Sequence, residues 1–416
     1  MDCGIDFGTS NSSVVGFRQG TAAPVPLEGQ STAMPTAVFY DLVEHRPYFG
    51  REALRRYIEG HDGRLMRSLK SILGSSLIDE STEIGSTRVD YRYVIKDFFK
   101  CIKQRAEDHF GEQLTRAVVG RPVHFVDDDP AADQKAQQTL EEVASEVGFT
   151  QVAFEYEPVG ALRDWLSNGT VGQTILVCDI GGGTADFTLA KCVERDGKPD
   201  LDFLENRGVH VGGTDFDKHF SLACFMPQLG LGSLVRASVG TQLLPMPKAP
   251  YINLSTWHRI NSLYSRQVLR EVQDYHRRAA QPAKLAALLN VLQENAGHEL
   301  LAEIEAYKIA LTDQSAFAKQ IGCLNLVDEL KIERQQLDEA LDQVVEPIVE
   351  TAKECVQAAG LSDQDLSAIL MTGGSSQIPL LINKIQAAFP TARLESTDYF
   401  GSVATGLALS CPIKLS

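Results

Sequence analysis

The chain has 416 residues, 44% hydrophobic and 23% charged, and a formal net charge of −16. That length exceeds what one core usually holds, so two domains are expected. So acidic a chain lacks the basic footprint that general binding to nucleic acid or to an anionic membrane requires. No apolar run is long enough to cross a bilayer. No basic segment or apolar run precedes Cys3-Gly4-Ile5-Asp6, so no signal peptide and a cytoplasmic location are expected. The eight cysteines (3, 101, 178, 192, 224, 323, 355, 411) contain no CxxC pair and read as reduced, mostly packed thiols.

The first element is an apolar β-prone run ending in Asp6, followed at once by Gly8-Thr9-Ser10 and a second strand through Ser13-Val14-Val15-Gly16-Phe17. From about 34 to 114, helical stretches and turns interrupt the pattern and read as an insertion. Val118 to Val123 reads as a strand leading into a turn. Asp129-Pro130 then caps and starts a helix whose apolar positions Ala132, Ala136, Leu140, Val143, Ala144 and Val147 keep helical spacing until Gly148 stops it. Val152 to Glu155 is the next strand, ending in Glu157-Pro158 before another helix.

At Cys178-Asp179-Ile180-Gly181-Gly182-Gly183-Thr184 the opening pattern returns, with Asp186-Phe187-Thr188-Leu189-Ala190 as its departing strand. Taken singly, each copy is as well read as an ordinary hairpin turn. Two copies imply two related lobes and the geometry of a phosphate clamp. Glycines let backbone N–H groups approach oxyanions, Thr and Ser add donors, and an Asp at the strand end can hold Mg²⁺ directly or through its waters.

Residues from about 221 to 295 read as a second insertion. Leu337, Leu341, Val344, Ile348, Ala352 and Val356 share one helical face, with Pro347 expected to kink the helix and Gly360 to end it. Ala368 to Met371 then forms a strand, Gly373-Gly374-Ser375 a third glycine turn, and Pro379 starts a helix. That turn can admit a nucleobase and sugar between backbone strands, or be only a strand-to-helix connection. Arg121, Arg277 and Arg278 read as isolated, solvated basic spots. His298-Glu299 begins like a zinc-protease helix but lacks the second histidine, so no metal pair is read there. Strand-like and helix-like segments alternate throughout, the pattern of an α/β architecture.

Five motifs in order (Asp6-x-Gly8-Thr9, Glu157-Pro158, Asp179-x-Gly-Gly-Gly-Thr184-x-Asp186, Gly212-Gly213-Thr214-Asp215-Phe216-Asp217 and Gly373-Gly374-Ser375-x-x-Ile378-Pro379) resemble the ATPase domain of DnaK-type heat-shock 70 chaperones. Those chaperones belong to the actin, sugar-kinase and chaperone superfamily. The layout is most similar to short homologues of the YegD kind, so neither an acidic-leucine linker nor a peptide-binding domain is expected. The resemblance implies a two-lobed, actin-like fold with duplicated ribonuclease-H-like sheets and an inserted subdomain in each lobe. The N-terminal lobe would span 1–175 with its insertion at about 34–114, and the C-terminal lobe 176–416 with its insertion at about 221–295.

It also implies ATP or ADP with Mg²⁺ as cofactors. Asp6, Asp179 and Asp186 would surround the ion through its waters. Gly8, Thr9, Ser10, Gly181, Gly182, Gly183, Thr184, Gly212 and Gly213 would hold phosphates. Glu157 would orient the attacking water, and Lys70, in a matching Lys-x-x-x-Gly context, would reach the γ-phosphate, so that Lys70, Glu157, Asp179 and Thr184 carry the catalysis. Glu305, Lys308 and Thr312 sit at i, i+3 and i+7 of a helix and match the family's ribose and adenine contacts, although the same spacing also describes an exposed ion-paired stripe. Gly373, Gly374, Ser375 and Gln377 would complete the nucleoside pocket.

The departures are specific. The two arginines that usually sandwich adenine are Ile309 and Gln377 here, a family glutamate is Thr214, and Asp398 lies two residues earlier relative to Gly406 than the pattern predicts. The function implied is an ATP-binding, slowly hydrolysing chaperone-family protein driven by lobe closure, with a protein partner that senses that closure. A nucleotide-sensing interaction protein with little turnover, or a small-molecule kinase of the same superfamily, are the alternatives.

Overall fold

The computed structural model describes residues 1–416 apart from 86, 127–128, 167–170, 196, 238–241, 325–327, 397–400 and 416. Asp398 therefore lies outside the described residues. Two compact units form, one from Met1–Gly213 with Pro347–Ser416 and one from Thr214–Glu346.

The first unit holds two sheets built to one plan. In the first, strand Asp2–Phe7 pairs antiparallel with Asn11–Arg18, which pairs antiparallel with Thr21–Pro24. On its other side Asp2–Phe7 runs parallel to Arg116–Arg121, and that strand parallel to Gln151–Tyr156. In the second, Thr174–Ile180 takes the central place, with Ala185–Arg195 and Lys198–Val209 antiparallel on one side and Ala368–Thr372 and Arg393–Ser396 parallel on the other. The duplicated motif thus marks duplicated sheets in a mixed α/β fold. Short Met34–Pro35 also pairs with Asn11–Arg18, making six strands in the first sheet. The central strands are buried on both faces, which is why ILVCDI reads as a continuous apolar run rather than an alternation.

Within the segment read as the first insertion, Ala37–Asp41, Arg46–Phe49 and Gly63–Arg67 form a three-stranded sheet of their own. Helix Tyr91–Phe110 buries Val94, Ile95, Phe98, Phe99 and Ile102, and Phe7 packs against Phe98 and Phe99 with ring centroids at 5.9 and 5.0 Å. Helix Pro130–Glu146 starts as the sequence indicates, with the Asp129 side chain accepting from the Ala132 N–H at 3.0 Å and Gly148 left-handed after its end.

Two expectations need correction. Pro347 does not kink one long helix; it stands in the first turn of a second one, Glu346–Ala358, after Arg334–Leu341 has closed with the Leu341 carbonyl accepting from Val344 and Val345. A proline tolerated where the N–H is unpaired anyway is a start signal, whereas in mid-helix it would clash with the preceding turn. Arg121 is not solvated. Its side chain is 12% exposed, pairs with both oxygens of Asp133 at 3.0 and 2.7 Å, and lies 5.2 and 5.5 Å from the Phe125 and Tyr156 rings. The strand end and the helix N-terminus meet there, so the guanidinium is locked by the fold. Arg277 and Arg278 both pair with Asp274 on their own helix, and Arg277 remains largely exposed.

The second unit is mainly helical. Tyr307, on helix Gly297–Asp313, packs edge-on to Phe225 and Phe317 at 5.2 and 4.8 Å, and its hydroxyl donates to the Leu330 carbonyl at 2.6 Å and accepts from the Lys319 N–H at 3.0 Å. One buried side chain thereby ties that helix to the hairpin Ala316–Lys319/Leu330–Glu333.

In the first unit, helix Ser402–Leu409 is packed against strand Asp2–Phe7 and helix Glu157–Leu166 with almost no side chain between them. A Cβ on Gly406 would lie 1.6 Å from the Gly160 carbonyl oxygen, and one on Gly4 would lie 2.3 Å from the Ala408 nitrogen. Nothing there can rotate away, since the opposing atoms are backbone. Gly406→Val should cost about 1–3 kcal/mol or more, read as a lowered midpoint in chemical denaturation. A wild-type midpoint would mean that these two helices are not held in close contact.

Candidate functional site

Both glycine turns of the duplicated motif open onto one cleft in the first unit, enclosing about 90 Å³ and lined by Asp6, Gly8, Thr9, Ser10, Lys70, Glu157, Asp179, Gly181, Gly182, Thr184 and the Gly373-Gly374-Ser375 turn. Such a volume has room for several waters. The two turns touch: a Cβ on Gly182 would lie 2.3 Å from Ser10 Oγ, and one on Gly183 would lie 3.1 Å from Thr9 Oγ1. The second turn is closed by the Gly181 N–H donating to the Thr184 carbonyl at 2.9 Å.

The third turn needs its first glycine. Gly373 has φ +81°, and a Cβ there would lie 2.4 Å from the Ile180 carbonyl oxygen and 2.7 Å from Asp179 Oδ1. Gly212 and Gly213 do not line the cleft. They back it: a Cβ on Gly212 would lie 2.7 Å from the Gly183 nitrogen, and the Gly213 N–H donates to the Gly181 carbonyl at 3.0 Å. Gln377 ends the short helical turn Gly374–Gln377 and is half-buried beside the cleft-lining residues rather than among them.

Four carboxylates gather at this place. Asp179 stands directly opposite Asp186 across the antiparallel pair, and Asp6 ends the equivalent strand of the other sheet. Burial first, then the charge of Glu157, pushes Asp6 up to about 7. Burial and Glu157 do the same to Asp186, also to about 7, against hydrogen bonds from Thr184 and the Val123 N–H. Asp179 is held well above the usual carboxylate range by burial and by Glu157, Asp186 and Asp6. The counter-charge is Lys70, which donates to Glu157 Oε1 and is only 6% exposed. Burial alone would lower Lys70, but the negative charge of Glu157 and Asp6 outweighs it and the pKa is raised, so the ammonium stays charged. The chain aims this lysine by placing Ser68 in the left-handed region at φ +54°, just before the turn Leu69–Ile72.

The oxygen-only donor set suits a hard ion such as Mg²⁺. Among the described residues no group of three or more His, Cys, Asp or Glu is placed to hold a metal ion. Glu305, Lys308 and Thr312 lie in the second unit on helix Gly297–Asp313, where Lys308 Nζ pairs with Asp217 Oδ1 at 2.7 Å and Ile309 is 60% exposed. Sequence reasoning missed Thr36. Its hydroxyl donates to the Gly8 carbonyl at 2.8 Å and lies 2.8 Å from Ser12 Oγ, bracing the first glycine turn. No local pattern marks it, because its partners are 24 to 28 residues away.

Removing one of the crowded carboxylates should relieve the ligand-free fold. Asp179→Asn is expected to melt at or above wild type, by on the order of 1 kcal/mol, in thermal unfolding without added nucleotide or divalent ion. A clear loss of stability would show that Asp179 is held by favourable contacts instead.

A model of the Hsp70 protein family matches residues 279–416. The chain is 25% identical over 431 residues to the chaperone protein HscA homolog of Shewanella piezotolerans (strain WP3 / JCM 13877), covering 99% of this chain and 58% of that protein. It is 24% identical over 419 residues to the chaperone protein DnaK of Nitrosopumilus maritimus (strain SCM1), covering 99% and 56% respectively. The chain thus spans little more than half the length of these relatives. Among the described residues, no helix is long and apolar enough to cross a membrane. With the family match over the C-terminal third and a quarter identity along nearly the whole chain, the domain that this protein resembles is the Hsp70-family ATPase domain.

Proposed function

We propose that the chain is a cytoplasmic, chaperone-family protein that binds ATP and ADP with Mg²⁺ and hydrolyses ATP slowly. The observation that carries this reading is the convergence of two glycine turns, three carboxylates (Asp6, Glu157 and Asp179) and one buried lysine on a single cleft, with Asp186 directly opposite Asp179. The turns Gly8-Thr9-Ser10 and Gly181-Gly182 line that space together with Thr184, and the backbone N–H and hydroxyl groups not used within the turns would be a donor set for phosphate oxygens. Mg²⁺, when bound, would neutralise charge on the phosphates and relieve the repulsion among Asp6, Asp179 and Asp186.

Phosphoryl transfer to water is mostly positioning and charge neutralisation. Lys70 supplies the cation for charge developing on the transferred group, and Glu157, next to it, orients the water. Gly373, Gly374, Ser375 and Gln377, and on the resemblance Glu305, Lys308 and Thr312, serve the nucleoside. Ile309 and Gln377 cannot stack on adenine as cations, a contact that contributes about 0.5–2 kcal/mol elsewhere, so base selectivity should be modest. The output would be Mg-ATP-driven lobe closure, read by a protein partner.

A second reading, nucleotide sensing with little turnover, is favoured by one observation. Lys70 and Glu157 are already paired to each other, so both groups must part before either serves the chemistry.

Lys70→Ala should retain ATP binding by calorimetric titration while single-turnover hydrolysis falls by about 10²-fold or more. Undiminished hydrolysis would remove Lys70 from the reaction. Wild-type hydrolysis too slow to measure, with nucleotide binding intact, would favour the sensing reading.

A further inference from the structure

Asp186 is held by an arrangement that the motif does not announce. It is 1% exposed, faces the like-charged Asp179 on one neighbouring strand and Gly208 on the other, and its Oδ1 accepts from the Val123 N–H at 2.7 Å. Val123 follows the strand Arg116–Arg121 of the first sheet, so this hydrogen bond joins the two duplicated sheets through a site carboxylate. The bond exists because position 208 has no side chain. A Cβ there would lie 2.8 Å from Asp186 Oδ1 and 3.3 Å from Val123 Cβ. Gly208 is not in the left-handed region, so its backbone does not require glycine. The requirement is for space.

We infer that Gly208 is a positioning residue for Asp186. Its missing side chain lets the carboxylate lean away from Asp179 onto the Val123 amide, and this fixes where Asp186 stands toward a hydrated Mg²⁺. The functional half of the inference rests on the MgATP reading above; the anchoring half rests on geometry alone. A methyl group at 208 would force the Asp186 carboxylate, the one flexible group in contact, to rotate off. That would leave a buried amide without its acceptor.

The test uses the full chain with Gly208→Ala, Asp186→Ala and the double variant. In Gly208→Ala, hydrogen exchange at the Val123 amide should quicken tenfold or more. The Mg²⁺ concentration that half-saturates the calorimetric response to ATP should rise about 10–100-fold, the usual effect of disturbing a group behind a metal site. ATP binding without Mg²⁺ should be unchanged. In the Asp186→Ala background the added methyl has room, so Gly208→Ala should then change neither Val123 exchange nor thermal stability. Unchanged Val123 exchange in folded Gly208→Ala, or an equal loss of stability in both backgrounds, would overturn the inference. If Gly208→Ala fails to fold, the double variant decides: it must fold as well as Asp186→Ala alone. A wild type without any Mg²⁺-dependent nucleotide response would overturn the proposed function, while Val123 exchange still decides the anchoring.

Discussion

Like charge at close quarters is the constraint on which the rest of this molecule turns. Asp179 and Asp186 stand opposite each other across one strand pair, Asp6 and Glu157 join them, and Lys70 is the one cation lining the cleft among the described residues. Opposed carboxylates weaken a sheet, and burial in low dielectric deepens the repulsion. An arrangement like this persists only where the surrounding core over-determines it. Here the fully buried central strand Thr174–Ile180, its counterpart Asp2–Phe7, the Phe7–Phe98–Phe99 cluster and helix Ser402–Leu409 supply that core.

Rigidity around the cleft is achieved by leaving side chains out. The motif glycines let the turns lie against each other, Gly212 lets another backbone segment support them, and Gly4, Gly160 and Gly406 let a helix lie on a strand and a second helix. At most of these places the opposing atoms are backbone, which cannot rotate aside. At Gly208 the opposing atom is a carboxylate oxygen that can. The same device therefore stiffens the scaffold in one place and sets the position of a charge in another.

Lys70, the one cation lining the cleft among the described residues, is paired with Glu157 in the ligand-free protein. One negative charge is matched and the other three carboxyls are pushed upward, so the site is poised to take up positive charge. A hydrated divalent ion arriving with an anionic phosphate chain meets both needs at once, which gives the proposed ligand its physical sense. On helix Gly297–Asp313, proposed above to serve the nucleoside on the resemblance alone, Ile309 leaves an apolar, exposed side chain where a stacking cation is usual in the resembled family.

Much of this was legible in the amino-acid sequence. The duplicated strand–glycine–strand pattern identified paired sheets, because buried central strands must be apolar and tight turns must contain glycine. Asp129-Pro130 and Gly148 bounded a helix correctly, because capping is decided within one turn. Features that depend on distant partners were not legible. Lys70 was marked by its Lys-x-x-x-Gly context, but its pairing with Glu157, 87 residues away, was not, and Arg121 looked free until Asp133 and two aromatic rings enclosed it. Pro347 proved a start rather than a kink, since whether the preceding turn continues is settled by packing. Thr36 and Gly208 carry no local signal at all. Local chemistry fixes which turns, caps and strands a segment can form; only tertiary structure decides which charges meet, which are buried, and where a missing side chain makes room for one of them.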